Sequence, residues 1–126
     1  MLEIDKLLHT IQKLRSRDGC PWDIKQTLDS LQKYLAEEVE ELHTAIIQKD
    51  HDNICEEIGD VLYVLLMLAE IEREQGNFTI ADCIRNIDAK LLRRHPHVFE
   101  NKAKLSEKEL RLQWEKIKSD EKKRNI

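Results

Sequence analysis

The stretch CEEIGDVLYVLLMLAE, residues 55–70, constrains the fold of this chain more than any other. Nine consecutive residues, Val61 to Ala69, are apolar or aromatic and call for burial, yet the segment opens with Glu57 and Asp60. At about 100° per residue, Glu57, Asp60, Val64 and Met67 fall on one stripe of a helix. Ile58, Leu65 and Leu68 fall on an adjoining stripe, so two faces of one helix want burial. One face can pack inside the subunit and the other then needs a second chain. That predicts a homo-oligomer with the acids at the edge of its interface. The run is too short to span a bilayer, which takes about 20 residues.

Four further helical segments frame this one. The first carries Ile4, Leu7, Leu8, Ile11 and Leu14, and stops before RDGCPWD, where Gly19 and Pro21 break the pattern. The second carries Leu31, Leu35, Val39, Leu42 and Ile46. A polar turn, QKDHDN, leads into the third from about Ile54 to Glu74, with Gly76 and Asn77 as stop signals. The fourth has Thr79 as N-cap, carries Ile80, Ile84, Ile87 and Leu91, and ends before Pro96. The last opens on Ser106 with Glu109 three residues on, the form of a capping box, and carries Leu110, Trp114 and Ile117. From about residue 119 the charged tail SDEKKRNI is expected to fray. With 3 glycines, 2 prolines, 37% charged residues and no period-2 alternation, the expectation is one all-α domain over residues 1–126.

A net charge of −4 argues against a nucleic-acid binder driven by phosphate neutralisation. The opening MLEIDKLLHTIQKL mixes charges into its apolar positions, so it is not read as a signal peptide. Cys20, Cys55 and Cys83 are widely spaced and odd in number, which reads as reduced thiols in a cytoplasmic protein with no membrane partner.

The acids carry the chemistry. If the second and third segments form an antiparallel hairpin, Glu38 and Glu41 lie twelve and nine residues before Asp50, and Glu57 and Asp60 seven and ten after it. At about 1.5 Å of rise per residue the two pairs stand at similar heights. Each has i, i+3 spacing and shares a face. Crowded carboxylates at a buried edge repel one another and are costly to desolvate. A hard divalent cation such as Mg²⁺, which takes oxygen ligands and substrate phosphates, relieves both problems. Acidic clusters in so charged a chain are more often solvated faces, and EEVEE alone would read that way; EEIGD against an apolar run does not. Gly59, between the two acids, is expected to admit close approach by a neighbouring backbone or ligand.

Other residues divide between chemistry and packing. HPHVF offers His95 and His97, but with no third ligand at useful spacing it reads as a turn docking Phe99 into the core. Trp22 could stack on a base or equally plug its loop against the first helix. Lys25 and Cys20 have no partner in sequence reach that would single them out. Lys90 and Arg94, at i, i+4 spacing, are ordinary for a helix C-terminus, yet a carboxylate–metal site for phosphates would need such cations. No G-x-x-x-x-G-K-[ST] loop is present.

In order, GCPWD, QT, YLAEEVEE, EEIGD and KLLRRHPHVF make the stretch from Arg17 to Phe99 resemble the MazG-type nucleoside triphosphate pyrophosphohydrolases. The family's E-E-x-x-E followed by E-x-x-D falls on Glu37, Glu38 and Glu41, then Glu57 and Asp60. The resemblance implies an all-α homodimer whose paired subunits build four-helix bundles around the active sites. It implies Mg²⁺-dependent hydrolysis, with Mn²⁺ as an alternative ion, of canonical or non-canonical nucleoside triphosphates to monophosphate and pyrophosphate, clearing unwanted nucleotides. By position it makes Glu38, Glu41, Glu57 and Asp60 metal ligands, with Glu37 beside them, and Lys90 and Arg94 substrate-binding cations. Trp114 and Lys118 complete the implied substrate set, although the segment between HPHVF and Trp114 is short for the family.

Two rivals come from other classes. A catalytically inactive helical dimer could use the same surface to bind a nucleotide or a protein, but all five acids are retained. A di-iron bundle would need Glu-x-x-His pairs, and none follows these acids.

Overall fold

The computed structural model describes residues 2–125, and every regular element among them is a helix. These are α1 (Glu3–Leu14), α2 (Pro21–Lys25), α3 (Leu28–Gln48), α4 (His51–Glu74), α5 (Ile80–Arg94), α6 (Pro96–Phe99) and α7 (Glu107–Lys123). The five expected helices are present. The two additional ones, α2 and α6, both begin with proline at the first helical position. A proline stops the helix before it, but its fixed φ and missing N–H suit the first turn of the next. The chain divides into two compact units, residues 1–80 and 81–126.

In the first unit α3 and α4 pair along their length and α1 packs on α4. The turn between α3 and α4 is tighter than QKDHDN suggested. Lys49 takes the left-handed conformation at φ 54°, and the Asp50 side chain accepts from the Asn53 N–H at 3.2 Å to start α4. At the other end of α4, Gly76 at φ 78° donates to the Arg73 carbonyl and Asn77 to that of Glu72, closing a Schellman motif.

The core is Ile11, Leu31, Val64, Leu66, Met67 and Ile71, flanked by Leu7, Tyr34, Leu35, Leu62, Tyr63, Leu68 and Ile80. Glu57, Val64 and Ile71, seven residues apart, are all buried, so the stripe carrying the acids faces inward. The adjoining stripe is divided: Leu68 packs against the core, whereas Ile58 is 54% and Leu65 44% exposed, and on α3 Val39 and Ile46 are also exposed.

Arg15, at the end of α1, ties the unit's elements together. Its Nε and Nη2 donate to both Glu74 carboxylate oxygens at 2.9 Å, and its Nη1 donates to the Asp23 and Gln26 carbonyls. The buried Asp23 carboxylate accepts from the Tyr63 hydroxyl, which anchors α2 to α4. Gly19 is required here, because a Cβ would lie 2.1 Å from the Leu14 carbonyl oxygen. At Gly59 no other part of the described chain, its own helix's backbone and immediate neighbours aside, lies within 4 Å of the position a Cβ would take, so the close approach expected there is not made by another backbone of this chain.

In the second unit, α5 buries none of its residues fully, and Ile84, Ile87 and Leu91 are each about half exposed. Phe99 does not dock into a core. It is 58% exposed and lines a cavity of about 700 Å³ with Leu92, Pro96 and Ile117 among others. Ser106 and Glu109 form the expected capping box. Beyond it α7 stays helical through Lys123, past the point where a frayed tail was expected. The reason is Glu121, which is buried and bonded to α5. Among the described residues no helix is long and apolar enough to cross a membrane.

Candidate active site

Helix α3 contributes Glu38 and Glu41, and α4 contributes Glu57 and Asp60. Each presents one carboxylate oxygen, and the four oxygens lie within 4.8 Å of one another. The i, i+3 spacing puts each pair on one helix face, and the tight turn sets the two pairs at matching heights. Glu57 is buried, Glu38 and Asp60 are half-buried, and Glu41 is exposed, so the cluster opens to solvent on one side.

The electrostatics are unfavourable for four bare carboxylates. Burial pushes the Glu57 carboxyl up to about 7, helped by contact with Glu41 and by the charges of Glu41, Asp60 and Glu38. Glu38 is raised for the same reasons, burial first and then the charges of Glu41 and Asp60. Glu38 Oε2 and Glu57 Oε2 are buried with no hydrogen-bond partner. Buried polar atoms are almost always satisfied, so two orphaned oxygens in one cluster call for a counter-charge. The donor set is all carboxylate, with no His or Cys. That suits a hard divalent cation, and the residues present fit one.

Glu37 is exposed and is not one of the four. Trp22, on α2, packs in an edge-to-face arrangement with Tyr34 of α3, with centroids 5.3 Å apart, and so anchors α2 on α3.

The remaining sequence candidates lie in the second unit. Lys90 and Arg94 of α5 line one cavity of about 380 Å³ together with Asn86, Ala89, Arg93 and Glu121. The Arg94 guanidinium carbon stands 4.9 Å over the Trp114 ring, and His95 packs edge-on against the same ring at 5.9 Å. Lys118 is exposed and lines a different depression with Glu115, Ser119 and Lys122. The sequence reading missed Glu121, whose carboxylate holds both Arg93 and Arg94. Its one trace in the sequence is a position two helical turns after Trp114 on the same face, which does not by itself point to the arginines.

The family model of the MazG nucleotide pyrophosphohydrolase domain matches residues 26–99, which include all four clustered acids. The chain belongs to the MazG family. A solved MazG-related protein from Thermotoga maritima superposes with a TM-score of 0.77 at 32% identity, over 91% of this chain and 98% of that one. The Thermotoga maritima nucleoside triphosphate pyrophosphohydrolase/pyrophosphatase MazG is 50% identical over 94% of this chain and 45% of its own length. The Escherichia coli K12 nucleoside triphosphate pyrophosphohydrolase is 39% identical over 96% of this chain and 46% of its own. The chain thus spans less than half the length of these curated MazG relatives.

Proposed function

We propose that this MazG-family chain hydrolyses nucleoside triphosphates to the monophosphate and pyrophosphate, with Mg²⁺ held by Glu38, Glu41, Glu57 and Asp60. The observation that carries the reading is the cluster of four carboxylate oxygens within 4.8 Å, two of its acids having a buried oxygen with no partner. The curated relatives named as pyrophosphohydrolases support the reaction class. Bound Mg²⁺ would polarise the phosphoryl group and lower the pKa of a coordinated water, and Mn²⁺ would serve the same donor set.

The protein's own groups do the rest. A carboxylate, Glu41 on the open side of the cluster or the exposed Glu37, orients the attacking water. The family motif assigns Lys90 and Arg94 to binding phosphate oxygens. The same reading assigns Trp114 and Lys118 to substrate binding and Trp22 to stacking on the base. The half-exposed stripes Ile58/Leu65 and Ile84/Ile87/Leu91 are covered by a second copy of the chain in a homodimer. The working environment is the cytoplasmic nucleotide pool.

The test is an assay with Mg²⁺ against ribo- and deoxyribonucleoside triphosphates, including deaminated and oxidised bases. Products are resolved as monophosphate plus pyrophosphate or as diphosphate plus phosphate. Monophosphate and pyrophosphate, lost in Glu38→Gln and Glu57→Gln, is the expected result. Diphosphate and phosphate would keep the metal site and overturn the assignment of the attacked phosphorus. No turnover by folded protein would leave a nucleotide- or protein-binding module in its place.

A further inference from the structure

Glu121 is buried at 4% exposure, near the end of a helix whose neighbouring residues are charged and mostly exposed. Its Oε2 accepts from Arg93 Nε at 2.6 Å and Arg94 Nε at 3.4 Å, and its Oε1 accepts from Arg94 Nη2 at 2.9 Å. Arg94 is therefore gripped along one edge by a carboxylate and covered on one face by the Trp114 ring at 4.9 Å. Edge and face together fix the plane of a guanidinium. Arg94 Nη1 makes no hydrogen bond to any described residue, and the cavity that Arg94 shares with Lys90 carries three cations, Lys90, Arg93 and Arg94, against the single carboxylate.

We propose that Glu121 is a positioning residue for phosphate recognition, orienting Arg94 so that its remaining donors meet phosphate oxygens in the cavity shared with Lys90. The proposal rests on the reading of Arg94 as a substrate-binding residue. A free arginine loses much rotamer freedom when it binds an anion. One held beforehand by a carboxylate and an indole has already lost it, so binding is tighter for the same contacts. The plainer alternative is that Arg93 and Glu121 only clasp α5 to α7.

The test uses the full chain in Mg²⁺ buffer, with tripolyphosphate as the probe for binding and the best triphosphate from the assay panel for turnover. Glu121→Gln is expected to raise both the tripolyphosphate Kd and the nucleotide KM about tenfold with a smaller change in kcat. The Arg94 Nε–H resonance is expected to be sharp and shifted in the wild type and to collapse toward that of free arginine in the variant. In an Arg94→Gln background the Glu121 substitution should add nothing further, because the residue it positions is gone. Glu121→Asp, which keeps the charge but withdraws it, is expected to give an intermediate Kd, and it serves if the glutamine variant folds poorly. Lowered thermal stability with unchanged Kd and KM would reduce Glu121 to a clasp and overturn the proposal. If Arg94→Gln alone leaves Kd and KM unchanged, Arg94 does not bind phosphate, and that result is separable from a failure of Glu121.

Discussion

Glu57 sits where a core residue belongs, at the head of the buried line that continues through Val64 and Ile71. Its carboxyl is raised from the ordinary 4.5 to about 7 by burial and by the neighbouring acids. A carboxylate with a raised folded pKa makes the native state bind more protons than the unfolded one across that interval. Metal-free stability therefore falls as pH rises from about 4.5 through 7, and thermal melts in EDTA should show this slope. Cation binding displaces that proton, so the Mg²⁺-induced rise in Tm should grow as pH passes upward through about 7. Glu57→Gln removes charge without changing shape. At pH 8 it should match or exceed the metal-free wild type in Tm, lose the Mg²⁺-induced rise, and lose about a hundredfold or more in kcat/KM. A variant that kept the Mg²⁺ response would remove Glu57 from the ligand set. That Glu57 meets Glu38, Glu41 and Asp60 was legible in the sequence, because the i, i+3 spacing and the equal distances from the turn bring the four together. The orphaned oxygens were not, since they depend on where α3 stands.

At the scale of elements, α3 and α4 could be read from periodicity and spacing, while the connections could not. Pro21 and Pro96 were read as terminators and are also initiators, because the same ring geometry serves both ends. The C-terminal residues 119–123 looked like tail by composition, and no local rule shows that Glu121 finds two arginines about 27 residues earlier in the chain. Phe99 was assigned to a core on hydrophobicity alone, and the unit it belongs to has no such core. The α3–α4 turn carries its own cost: Lys49 has a Cβ in the left-handed region, at φ 54°. Lys49→Gly should raise unfolding free energy by about 0.5–1 kcal/mol, because relief at this position outweighs glycine's extra unfolded-state entropy. A denaturation midpoint that fell instead would mean that the lysine makes a compensating contact.

For the whole molecule, the apolar stripes are the unfinished part. Ile58 and Leu65 on α4, and Ile84, Ile87 and Leu91 on α5, are half exposed, more than a monomer usually leaves in continuous lines. Sedimentation equilibrium at tens of micromolar should give a dimer, and Leu65→Lys should shift it toward monomer while leaving helicity in place. A wild-type monomer at that concentration would sink the oligomer reading, and with it the account of why two faces of α4 are apolar. Gly59 fits the same pattern. Its open side is free within the chain, so only a second copy or a ligand could make use of the missing Cβ.

Among the described residues from 81 onward, the one fully buried side chain is Glu121, a carboxylate that its two arginines draw down to about 2. Apolar burial sets the heat capacity of unfolding, whereas ion pairs respond to acid and salt. Within a single chain, the α5–α7 unit should therefore melt with little heat-capacity change and loosen as pH drops from about 4.5 toward 2. The α1–α4 unit should carry nearly all of the calorimetric signal, which makes one half of the molecule thermally robust and the other chemically responsive.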